Sequence, residues 1–132
     1  MNTILSHATE ILLLAFLVIT FLQSGLDKLL NWKGNLQWLR GHFSKSPLKG
    51  SVPALLLVLT LTELLAGIIS AGGIIQLLSG AGTQWAFWGG VTSCIALLML
   101  LFGQRIAQDY AGAQTVVIYF VPAVFLVFLL QP

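Results

Sequence analysis

Charge is scarce in this chain: four acidic and six basic residues are spread over 132 positions, and the formal net charge is only +2. A nucleic-acid binder neutralises phosphates in series with a basic stripe. No such stripe runs along one face here, so nucleic acid is not an expected partner. Cysteine is scarcer still. Cys94 is the single one, which rules out an internal disulfide, a Cys-x-x-Cys redox pair or a thiolate metal cluster within one chain. It reads as a small buried apolar side chain. There are two histidines. His7 near the amino terminus and His42 in the first loop fall on opposite membrane sides in the topology below, so a bis-histidine haem and a metal site are not expected. Glycine is frequent, but Gly72-Gly73 and Gly80–Gly82 border apolar segments and read as helix end and turn, not as a phosphate-cradling loop.

What the chain does have is long apolar runs. Hydrophobic residues make up 58% of it and the mean hydropathy is +0.96. A soluble domain of this length has too little interior to hide that much apolar surface. Runs at Ile11–Leu30, Pro53–Leu78, Trp85–Phe102 and Thr115–Leu130 are each close to bilayer-spanning length. The expected fold is all-α: a polytopic membrane four-helix bundle forming a single domain over 1–132, with helices at about 8–31, 52–78, 84–104 and 112–130. The first run follows ten residues without Lys or Arg and lacks a small-residue cleavage site, so it reads as a retained span, not a secretory signal.

Cations divide unevenly between the connections. Lys28, Lys33, Arg40, Lys45 and Lys49 cluster at and within the first loop and Arg105 lies in the third connection, whereas the amino-terminal segment and Ser79–Gln84 contain none. The positive-inside rule then places loops one and three in the cytoplasm and both termini outside. Trp32, Leu36, Leu39 and Phe43 recur at helical spacing and predict a short interfacial helix in the first loop, with Asn35 and Arg40 elsewhere on the wheel. Ser51 is expected to cap the second span, with Pro53 in its first turn. Gly67/Ala71 and Gly89/Ser93 are small-xxx-small packing pairs, and Pro122 is expected to kink the last span.

Glu63 is the residue that calls most for an explanation. It lies about 15 Å inward from Pro53 at the helical rise, near the bilayer midplane. A carboxyl group there must be protonated, paired or wetted, which makes it a functional-site hypothesis. Thr60, Glu63, Gly67 and Ser70 form one polar stripe, and Thr20, Ser24, Asp27 and Asn31 form another that is expected to face neighbouring helices. The topology brings Asp27, Lys28, Arg105, Asp109 and Tyr110 to one membrane side. Asp27–Arg105 and Lys28–Asp109 ion pairs would hold the helix ends together there without any further role.

Gly25-Leu26-Asp27-Lys28-Leu29 late in the first span, followed by Glu63 and Gly67 in the second, resembles the DoxX family of small four-helix membrane proteins over nearly the whole chain. The resemblance implies a bacterial inner-membrane protein linked to quinone-dependent sulfur oxidation or to thiol and oxidative-stress systems, with Lys28 and Glu63 as the matching polar residues. With no cofactor bound covalently, redox work would fall to a diffusible membrane quinone or to another redox subunit. Glu63 would exchange a proton with a quinone oxygen as the catalytic group. Lys28 or Arg105 would stabilise developing negative charge, Asp27, Asp109 and Tyr110 would complete the quinone site, and Trp85, Trp88 or Tyr110 would wall it. A non-catalytic accessory subunit and a solute or proton transporter are the other classes weighed, the latter without an inverted repeat to support it.

Overall fold

The structure, a computed structural model, describes residues 5–132; residues 1–4 of the single-domain reading lie outside them. The chain forms α1 (Ala8–Leu30), α2 (Trp32–His42), a 3-10 turn at Lys49–Ser51, α3 (Val52–Ser79), α4 (Gln84–Ile106) and α5 (Tyr110–Leu130). All but the short α2 are long and apolar enough to cross a membrane. Large apolar side chains on the outer faces of these spans, such as Leu12, Ile19, Leu61, Ile68, Ile118 and Phe128, stay exposed. With no water-facing alternative for so much apolar surface, this is a multi-pass membrane protein in a lipid bilayer.

The spans pack in chain order. α3 lies between α1 and α4, α4 lies between α3 and α5, and α5 touches α1 only lightly. In lipid, helices associate by close packing and not by the hydrophobic effect, so small residues decide where backbones meet. A Cβ on Gly73 would stand 2.7 Å from the Ala86 Cα, and one on Gly89 would stand 2.9 Å from the Ser70 Cα. α3 and α4 therefore approach backbone to backbone at these positions. α1 and α3 interlock differently: a Cβ on Gly25 would meet Leu64 and one on Gly67 would meet Leu22, each at 2.6 Å. These pairs fix an antiparallel register in which position 22 faces 67 and position 25 faces 64.

The helix ends match their chemistry. α3 stops at Gly80, whose φ of 72° is left-handed, and the Ala81 N–H reaches back to the Gln76 carbonyl at 3.0 Å, the pattern of a glycine-terminated helix. The Gln76 side chain accepts from the Trp85 N–H at 2.9 Å and ties the turn into α4. Pro122 sits inside α5 without ending it; the Ile118 carbonyl loses the N–H that residue 122 would otherwise donate. Ser51 precedes α3 but makes no side-chain cap. The 3-10 turn leads the chain into α3 there, with Pro53 tolerated in the first turn.

Candidate functional site

Lys28 and Glu63 meet inside the bundle. The Lys28 Nζ lies 2.9 Å from the Glu63 Oε1, with the lysine side chain 15% and the glutamate side chain 2% exposed. Helix geometry explains how a residue near the end of α1 reaches one well inside α3. Cβ atoms tilt toward a helix's own amino terminus. At Lys28 that direction runs into the bilayer, and at Glu63 on the antiparallel α3 it runs back toward loop one. The 25/64 register sets Lys28 opposite position 61, about half a turn above Glu63, and the two side chains converge across that offset. The ammonium also donates to the Ser24 Oγ at 2.7 Å. Its approach to Glu63 is an ion pair without hydrogen-bond alignment, since the Glu63 Oε1 takes no aligned hydrogen bond. The expected stripe on α3 is confirmed: Thr60, Glu63, Gly67 and Ser70 are all buried.

On α1 the buried seam is Leu14, Leu17, Phe21 and Gly25, not the polar row. Asp27 and Asn31, expected to face neighbouring helices, are exposed. The end-to-end pairings are also corrected. Asp27 accepts from the Asn35 Nδ2 at 3.3 Å instead of meeting Arg105. Lys28 is taken by Glu63 and not by Asp109, because its side chain points inward, away from the loop. Arg105 is exposed and places its guanidinium 4.7 Å from the centre of the Tyr110 ring. Asp109 caps α5, accepting from the Gly112 N–H at 2.9 Å.

Beside the ion pair is a cavity of about 540 Å³, within the usual range for a small-molecule site. Leu55, Leu56 and Leu59 of α3 and Ile95, Leu98, Met99 and Phe102 of α4 form its apolar walls, and Trp38 and Leu39 of α2 cover it together with Phe43 just after that helix. Its polar lining is Lys28, Asn35, His42 and Gln104. Of the expected site residues, Lys28 alone lines the cavity; Glu63 stands behind it, and Asp27, Arg105, Asp109 and Tyr110 lie outside the lining. Trp85 and Trp88 belong to the opposite end of the bundle, at the start of α4. Leu55, Ile95, Leu98 and Phe102 are also exposed on the outer surface, so the cavity communicates sideways with the lipid between α3 and α4.

His42 and Asn35 are the residues that sequence reasoning missed. The His42 ring lies 2.7 Å from the Gln104 Oε1 and 3.7 Å from the Asp109 Oδ2, and stacks on Trp38 at 4.6 Å between ring centres. The available signal was the i, i+3, i+7 spacing of Asn35, Trp38 and His42, which shares a side of α2 with Leu39. Asn35 and His42 thus fasten the two ends of α2, to α1 and to α4. Replacing His42 with Leu removes one hydrogen bond of about 0.5–1.5 kcal/mol. Amide hydrogen exchange across α2 is then expected to accelerate by about twofold to tenfold, with exchange in α3 and α4 unchanged. Equal acceleration in all helices would contradict the fastening role. Protein-family models, curated proteins and solved structures all give no match to this chain.

Proposed function

We propose that the chain is a small component of a quinone-linked oxidoreductase system in a bacterial inner membrane, and that its cavity receives the head of a membrane quinone. The observation that carries this reading is the cavity's composition: apolar walls open to lipid, ending at Lys28, Asn35, His42 and Gln104 under an interfacial helix. A quinone joins an isoprenoid tail to an uncharged ring whose carbonyls accept hydrogen bonds. The tail suits the α3–α4 wall, and Lys28 and the side-chain amides supply donors for the carbonyls. The resemblance to the DoxX family at Gly25, Lys28, Glu63 and Gly67 supports the same reading. In this arrangement Lys28 touches the ligand, and Glu63 positions Lys28. Electrons would come from a partner redox subunit, with this chain holding the quinone near the membrane surface.

Topology follows from charge. All six Lys and Arg residues, Lys28, Lys33, Arg40, Lys45, Lys49 and Arg105, lie at the end of the bundle that carries α2. The positive-inside rule places that end in the cytoplasm and both termini outside.

Binding of a short-tailed quinone to the detergent-solubilised protein, followed by quenching of Trp38 in the cavity wall, tests the proposal. The expected result is saturable quenching that weakens in Met99→Trp, whose larger ring narrows the cavity. Quenching that rises without saturation, equally in both proteins, would mean that quinone merely partitions into the micelle. A stable heteromeric assembly without such binding would favour the accessory-subunit reading.

A further inference from the structure

We propose that Glu63 sets the charge selectivity of the cavity: by cancelling Lys28 it restricts the cavity to a neutral polar head, and without it the same cavity accepts an anionic one. The inference rests on the quinone reading and deepens it by naming what the site excludes. Lys28 lines the cavity and Glu63 does not, yet their charged atoms stand 2.9 Å apart. An ammonium has three N–H donors. Ser24 takes one and the Glu63 side attracts another, which leaves one N–H uncommitted on a side chain that lines the cavity. The remaining polar lining is two amides and an imidazole. Of the nearby acids, Asp27 is exposed and bound to Asn35, and Asp109 lies 3.7 Å from His42 outside the lining.

The cavity wall therefore presents a hydrogen-bond donor whose charge is offset directly behind it. A neutral carbonyl gains the hydrogen bond and meets no net field. A carboxylate or phosphate head must shed its water, and the attraction of Lys28 is opposed by the repulsion of Glu63 only a few ångströms farther away. In a poorly solvated site that balance rejects the anion. Glu63→Gln keeps the shape and an oxygen for Lys28 but removes the opposing charge.

The test compares two probes with tails of the same length, decyl-benzoquinone and radiolabelled decanoate. Each is measured by direct equilibrium binding at about pH 8, where a carboxylic acid is ionised and imidazole is usually neutral. The wild type is expected to bind the quinone saturably and decanoate at least about tenfold more weakly. Glu63→Gln is expected to strengthen decanoate binding by about tenfold or more, the effect of one charge-assisted hydrogen bond. The double change Lys28→Gln/Glu63→Gln should show no such gain. Unchanged decanoate affinity in folded Glu63→Gln overturns the proposal. So does a wild type that binds decanoate as tightly as the quinone, a comparison that needs no variant to fold and that leaves the quinone reading standing. A wild type that binds neither probe overturns both.

Discussion

Replacing Lys28 with Met is expected to destabilise the bundle by about 3–5 kcal/mol, the usual cost of leaving a buried charge without its partner. Glu63 is 1% exposed and lies among the spans, with no route to water of its own. The reverse single change should cost less. In Glu63→Leu the unpaired Lys28 sits two residues before the end of α1, where a long cationic side chain can turn toward the interface. A cost of about 1 kcal/mol is expected, the scale of a lost ion pair whose cation can regain water. The double variant Lys28→Met/Glu63→Leu removes both charges and should lie close to the wild type, since buried pairs are often matched by apolar replacements. Reversible unfolding of all four proteins in mixed micelles closes the cycle. Additive single changes would show that the two residues do not interact.

The second large effect concerns the α3–α4 crossing. Gly73→Leu places a Cβ 2.7 Å from the Ala86 Cα and 2.8 Å from its nitrogen, so the obstacle is backbone and no side chain can rotate away. The helices must separate along the whole crossing, and a loss at or above the usual overpacking range of about 1–3 kcal/mol is expected. Gly41 in α2 is the control. A Cβ there meets nothing within 4 Å, so Gly41→Ala should be neutral or stabilise by up to about 1 kcal/mol through helix propensity. Thermal denaturation in detergent checks both. Equal melting of Gly73→Leu and the wild type would mean that α3 and α4 are not in this contact.

The spans were legible in the sequence because a hydropathy run is a one-dimensional signal. Helices read at about 52–78 and 84–104 form at Val52–Ser79 and Gln84–Ile106. The buried row from Thr60 to Ser70 was legible for a related reason, since periodicity within one helix names a face. Contacts between helices were harder to read. Depth along α1 placed Lys28 beside Arg105 and Asp109, but its side chain leaves the backbone toward the bilayer interior and finds Glu63. Asp109 looked like a charge awaiting a partner. Its position before Ala111, Gly112 and Ala113 is instead that of a helix cap. His42 was considered only as a haem ligand, and nothing in its own sequence context shows that α2 folds over the α3–α4 groove. The cavity belongs to that placement, which no single helix encodes.

Photolabelling with a short-tailed azido-quinone, followed by peptide mapping, tests the central claim most directly. The reaction should concentrate on α2 and on the cavity-facing half of α4, at residues such as Trp38, Met99 and Gln104, and unlabelled quinone should compete it away. Labelling spread over lipid-facing side chains such as Leu12, Ile118 and Phe128, and insensitive to competitor, would contradict it.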